Sequence, residues 1–275
     1  MKFLDYKELS QIINIALATS KIEEIKTPYK KIRPFMHLLM YGQVGSGKST
    51  ILWETADKIK QTPYMGLTKS HLSGSVDKTT GLLNTPAPWD SRNNALMIDE
   101  FSLGLHDFSG RDALNSLLSL MENPTYTKKI GYRCNDFKEK DKDLYCIVNN
   151  NQISVKTRFV LFLNTMMNVF SSKLPEIQAL KTRCIPIPYY PSLEDLHNKL
   201  KGEPAYTYKK LIAPKKVTIS KKNYDKILYF INLQKIDVKS YLRTFGDLCR
   251  TCAVIGYDEK VFKLICDLVS NKRQK

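Results

Sequence analysis

"FMHLLMYGQVGSGKSTILWE", residues 35–54, decides the fold. The apolar run "FMHLLMYG" ends in glycine and reads as a buried strand, whereas "STILWETADKIKQ" after the loop has helical spacing. Between them Gly42, Gln43, Val44, Gly45, Ser46, Gly47, Lys48, Ser49 and Thr50 satisfy G-x-x-x-x-G-K-[ST], in the strand–loop–helix context that the pattern requires. Glycines let a backbone wrap a polyphosphate, and loop amides at a helix N-terminus present positive partial charge to it. Lys48 would reach the outer phosphates and Ser49 would offer its hydroxyl to Mg²⁺.

Three more apolar runs extend the pattern: "ALMIDE" (95–100), "RFVLFLN" (158–164) and "CIPIPY" (184–189). They read as buried parallel strands, and their alternation with helical segments predicts an α/β sheet covered on both faces. The first of them delivers Asp99 and Glu100 at its C-terminal end, the end where such sheets hold ligands. Asp99 would hold Mg²⁺ through water, and Glu100 would polarise an attacking water. Asn164 stands where the second run stops; it could orient that water or serve as a strand-end turn residue.

Away from this core, residues 4–26 alternate apolar and charged positions at helical spacing, until the prolines of "TPYKKIRP" break the pattern. After about residue 190 the strand signals stop, and the remaining segments all show helical spacing. The expected organisation is an N-terminal helix over 1–30, an α/β nucleotide-binding domain over 31–190 and an all-helical domain over 191–275. The net charge of +16, densest around "YKKLIAPKKVTISKK", favours a polyanionic partner such as nucleic acid. Tyr206 and Tyr208 beside Lys209 and Lys210 could stack on bases or form a solvated linker. No export signal or membrane-length apolar run is present, and six irregularly spaced cysteines fit reduced thiols, so a cytoplasmic setting is expected. Cys249 and Cys252 form a C-x-x-C without a second Cys/His pair nearby, which favours core packing over metal binding.

In this order, the Gly-loop, the Asp-Glu strand, the Asn-ended strand, an arginine before the last strand and a helical lid resemble the AAA+ ATPases. "GLTKSHLSGSVDKTTG" followed by "NNALMIDEF" looks like the minichromosome-maintenance helicases within that group. The likeness spans roughly residues 36–255. It implies a P-loop AAA+ three-layer sandwich with a parallel sheet, an inserted presensor-1 β-hairpin and a helical lid. It also implies ATP as the nucleotide, DNA as partner and a homo-oligomer, a hexameric ring. Arg183 falls where the family carries its arginine finger, which acts on a neighbour's nucleotide, and Arg243 where it carries the lid arginine called sensor 2. Only about 35 residues precede the first strand, which points to a motor stripped of the helicases' N-terminal domain, as in a virus or mobile element. A replicative helicase-like motor, an initiator or helicase loader that uses ATP as an assembly switch, and a protein remodeller all fit these motifs.

The separation of 65 positions between Asp99 and Asn164 leaves room for that hairpin, over about 124–156. "TYTKKIGYR" and "DLYCIVNNNQISV" carry the β-branched and aromatic residues of two arms, which makes the charged interval between them the tip. By the resemblance, Lys138, Lys140 and Lys142 would project toward DNA. Four neighbouring carboxylates leave a merely solvated turn open as an alternative.

Overall fold

A computed structural model describes residues 4–66, 68–76, 79, 83–84, 87–90, 95–101, 108–123, 125–129, 146–149, 152–156, 158–192, 194–195, 197, 201–202 and 207–270. In chain order the elements are α1 (Tyr6–Thr19), β1 (Glu24–Lys26), β2 (Lys31–Ile32), β3 (His37–Gly42), α2 (Lys48–Ile59), β4 (Tyr64–Met65) and α3 (Lys69–Ser73). They continue with β5 (Ser75–Val76), β6 (Leu83–Asn84), α4 (Ala87–Asp90), β7 (Ala95–Asp99), α5 (Phe108–Glu122), β8 (Thr125–Lys129), β9 (Cys146–Asn149) and β10 (Gln152–Lys156). The rest are β11 (Val160–Met166), α6 (Met167–Phe170), α7 (Pro175–Lys181), β12 (Cys184–Pro188), β13 (Lys216–Thr218), α8 (Lys221–Leu233), α9 (Val238–Ile255) and α10 (Glu259–Val269).

The centre is a five-stranded, all-parallel sheet in the order β12-β3-β11-β7-β4. β3, β7 and β12 are buried at every position, as unbroken apolar runs covered on both faces should be. Successive residues along each strand serve opposite faces. Leu38, Met40, Met97, Phe162, Ile185 and Ile187 join one cluster with residues of α1, α2 and the three C-terminal helices. Leu39, Tyr41, Leu96, Ile98, Leu161 and Leu163 join the other with α5 and α7. The result is a three-layer α/β arrangement. Pro186 and Pro188 are tolerated in β12 because it is an edge strand, where a missing N–H breaks no ladder.

The segment after residue 190 is not purely helical. "KVT" forms β13, which pairs in parallel with β1 and extends a small sheet in the order β13-β1-β2. Its β-branched Val217 and Thr218 suit an extended strand, and an N-terminal strand supplies the partner that sequence spacing does not reveal. The N-terminal helix is also laced to the segment that precedes β13. Asn14 donates to the Thr207 carbonyl at 3.0 Å and accepts from the Lys209 N–H at 3.2 Å, and Ser10 accepts from the Thr207 N–H at 3.1 Å. The N-terminal helix and the C-terminal helices therefore share one core with the sheet.

The inserted strands pair differently from a simple two-armed hairpin. β10 is central and antiparallel to both neighbours, in the order β8-β10-β9. β9 and β10 pair from Asn149↔Gln152, with two residues between them, so the second expected arm folds back on itself. β8 and β9 lie on opposite sides of β10 and do not pair, so residues 130–145 join two strands that are not neighbours. The tip lysines Lys138, Lys140 and Lys142, and Cys134, lie outside the described residues.

Candidate functional site at the C-terminal end of the sheet

β3 leads straight into the glycine loop. Gly42 has a steric reason of its own: a Cβ there would come within 2.4 Å of the Tyr189 carbonyl oxygen, and the Tyr189 N–H bonds the Tyr41 carbonyl at 2.9 Å. Gly45 and Gly47 adopt left-handed backbone, at φ 77° and 91°, which L side chains rarely take. Gly47 is the N-cap of α2 and provides no side-chain cap, whereas α1, α8, α9 and α10 are capped by Asp5, Ser220, Asp237 and Asp258. The positive end of the α2 dipole therefore faces whatever sits over the loop.

Lys48, at the first position of α2, is buried. Its ammonium donates to the carbonyls of Gly42 (3.2 Å) and Gln43 (2.6 Å) and contacts the Ser46 hydroxyl (3.3 Å). Desolvation lowers its pKa, and Asp99 and Glu100 oppose that shift.

The sheet order places β11 between β3 and β7, so Asn164 stands between the loop strand and the Asp-Glu strand. Asp99 is the hub. Its Oδ1 accepts from the Ser49 hydroxyl at 3.0 Å, the Asn164 amide at 3.2 Å and the Glu100 N–H at 3.1 Å. Its Oδ2 accepts from the Trp53 indole N–H at 3.1 Å. Because the Asn164 amide nitrogen faces the carboxylate, Oδ1 points away, buried and without a partner among the described residues, as is the Thr165 hydroxyl. Glu100 is one of three non-glycine residues with positive φ among the described residues, at 49°. Such backbone costs about 1 kcal/mol or more and clusters at functional sites. The Phe101 N–H on the Asn164 carbonyl, at 3.0 Å, fixes this turn.

A cavity of about 320 Å³ unites these groups. Val44, Gly45, Gly47, Lys48, Ser49, Asp99, Glu100, Asn164, Thr165 and Met166 line it. Gln43 and Ser46 touch it through Lys48, and Thr50 continues the helix from Ser49. Trp53 is the residue that sequence reasoning missed; it lies one turn after Ser49 on α2, so its i+4 spacing was the available signal.

Arg183 and Arg243 lie elsewhere. Arg183 precedes β12, whose first residue is level with His37 at the start of β3, so it occupies the opposite end of the sheet. It donates to the Ala179 carbonyl at 2.8 Å and pairs with Glu122. Arg243 donates to the Lys181 carbonyl at 2.7 Å and to Asp247 at 3.3 Å; Asp247 also accepts from Arg250 at 2.7 Å. Arg250 in turn holds the Arg33 carbonyl at 2.8 Å, and Arg33 donates to the Met121 and Leu120 carbonyls that end α5. Burial first, and Arg250 second, push Arg33 down to about 10. All four arginines line one cavity of about 370 Å³. Within it Arg183 Nε and Arg243 Nη2 are buried without partners among the described residues.

Cys184, Cys249, Cys252 and Cys266 are buried and form no disulfide among the described residues; burial pushes Cys184 and Cys249 up to about 12. No cluster of three or more His, Cys, Asp or Glu occurs among the described residues, and no helix there is long and apolar enough to cross a membrane. In comparisons with known proteins, no family model matches the chain and no curated protein sequence matches it.

Proposed function

We propose that this chain is a Mg²⁺-dependent ATPase of the AAA+ kind that works on DNA as an oligomer, with a replicative helicase-like motor as the role its motifs favour. The observation that carries the reading is the meeting of Ser49, Asp99 and Asn164 at one carboxylate, opposite Lys48 and beneath an uncapped helix N-terminus.

The donor set suits the expected groups. Ser49 and Asp99 are oxygen donors, as Mg²⁺ prefers, and Mg²⁺ keeps most of its waters, so few protein ligands are needed. These two residues would hold the ion, Asp99 through water, and the bound ion supplies neutralisation of phosphate charge. Lys48 would turn its ammonium from loop carbonyls to phosphate oxygens. The spare Oδ1 of Asn164 can accept from a water, and Glu100, at the cavity edge in its strained conformation, can polarise that water.

Arg183 cannot serve its own phosphate site, since the length of β3, about 17–20 Å, separates the two. Arg183 is therefore read as acting on the nucleotide of an adjoining copy, and Arg243, which also lines a cavity of about 710 Å³ with Met167 and Phe170 just beyond β11, is read as the lid arginine.

Glu100→Gln should keep nucleotide binding, measured with a fluorescent ATP analogue, and lose turnover by about 100-fold or more. Unchanged turnover overturns the assignment. Stimulation of ATP hydrolysis by DNA at low salt tests the partner; its absence removes DNA from the reading.

A further inference from the structure

A second cationic site lies at the far end of α2, about 18 Å along the helix from the phosphate loop. There the C-terminal ends of α1 and α2 converge under the segment that Asn14 and Ser10 fasten to α1. The cleft, about 350 Å³, is lined by Lys21, Lys58, Lys60, Lys209 and Lys210 over a floor that includes Leu17, Ile59 and Leu211. No carboxylate lines it, and Lys58, Lys60, Lys209 and Lys210 make no ion pair among the described residues. Desolvation first, and Lys210 second, lower the pKa of Lys21, so these ammonium groups are close enough to repel one another.

Two helix C-termini account for only part of this charge. Each carries about half a negative charge, so Lys58, Lys60, Lys209 and Lys210 alone exceed what two dipoles need by roughly three. Lys60 adds a second sign. It caps α2 in left-handed backbone at φ 55°, where glycine would be cheaper, and thereby keeps a cation on the rim.

We propose that this cleft binds the phosphate backbone of a nucleic-acid strand. Its cations are lysines on three separate segments, without the arginine fork or glycine-rich amide nest that would fix one particular phosphate. Lysine point charges suit successive phosphates read without sequence preference, and the apolar floor with Tyr208 suits sugar and base faces. The proposal deepens the DNA reading above by giving it a place, and it does not depend on how the nucleotide site works.

The test is fluorescence anisotropy with a labelled oligothymidylate of about 30 nucleotides, over a salt series. Lys58→Glu/Lys60→Glu and, independently, Lys209→Glu/Lys210→Glu should each weaken binding about tenfold and flatten the log–log salt slope by about 1.4. Lys221→Glu/Lys222→Glu, on the exposed first turn of α8, imposes the same charge change elsewhere and should do neither. Melting temperature and fluorescent-nucleotide binding identify a variant that fails to fold, and the second pair stands in for it. Equal losses in the control pair, or none in either cleft pair, overturn the cleft. Displacement of the oligonucleotide by inorganic tripolyphosphate at equal phosphate concentration overturns the strand in favour of a small anion. Failure of the wild-type chain to bind any oligonucleotide overturns the DNA reading and the cleft together, while fluorescent-nucleotide binding still judges the ATP site separately.

Discussion

The two ends of β3 are chemical opposites. Beyond Gly42 the unsatisfied buried atoms among the described residues are oxygens, Asn164 Oδ1 and Thr165 Oγ1, around a carboxylate that already holds four donors. Beside His37 they are guanidinium nitrogens of Arg183 and Arg243, in a cavity lined by four arginines, two lysines and one glutamate. Spare oxygens at one end and spare guanidinium nitrogens at the other stand a strand's length apart; under the proposed function the first face a bound water and Arg183 at the second faces an adjoining copy.

The strongest way to break the comparison is Arg183→Ala. It removes a partly exposed pair with Glu122 and a hydrogen bond to the Ala179 carbonyl in α7, so stability should fall by about 1 kcal/mol. Turnover should fall about 1000-fold with nucleotide affinity retained. Mixing it with Lys48→Ala protein should restore part of the activity, because some interfaces then combine an intact loop with an intact arginine. No recovery in steady-state ATPase assays would return Arg183 to a structural role. Lys48→Ala by itself strikes the other end: nucleotide affinity should drop roughly 100-fold, about 3 kcal/mol, by fluorescence titration.

A third prediction concerns pH at the arginine end. Desolvation, then Arg33, Arg250 and Arg243, hold His37 well below its ordinary 6.5, and its Nδ1 accepts from the Leu161 N–H at 3.0 Å. Below that pH the unfolded chain takes up a proton that the folded chain refuses. Stability is therefore full above about 6.5 and declines as pH falls, by up to about 1.4 kcal/mol per unit. His37→Gln keeps an acceptor for Leu161 and should flatten that slope in urea unfolding; a parallel decline would clear His37.

The smallest effect sharpens the glycine-loop end. Trp53→Phe removes the indole N–H from Asp99 Oδ2, which under the proposed function competes with the hydrated ion. The Mg²⁺ concentration for half-maximal nucleotide binding should fall about fivefold, equivalent to about 1 kcal/mol. A rise would mean that the indole positions the carboxylate instead.

The glycine-loop end was more legible than the arginine end for a physical reason. A glycine loop between an apolar strand and a helix, and acids or amides that terminate apolar strands, are local patterns, and parallel strands bring their C-terminal ends to one place. The convergence of Arg33, Arg183, Arg243 and Arg250 depends on how α9 lies across the sheet, which helical spacing cannot encode. The inserted sheet defeated pattern reading in another way. "TYTKK", "CIVN" and "QISVK" are equally strand-like, and nothing local says that Gln152–Lys156 takes the centre. β13 stayed hidden because three residues carry too little periodicity to stand out from a basic linker.

The contact between Gly42 and Tyr189 has a practical consequence for protein engineering. The nine-residue loop reads as one motif, yet its first glycine answers to an edge strand almost 150 positions downstream and its later ones to left-handed backbone. Grafting the loop into another scaffold without the chain crossing at Tyr189 would carry over a glycine with nothing to make room for. Restoring a side chain at position 42 in this protein would unseat β12, and with it the arginine that β12 follows.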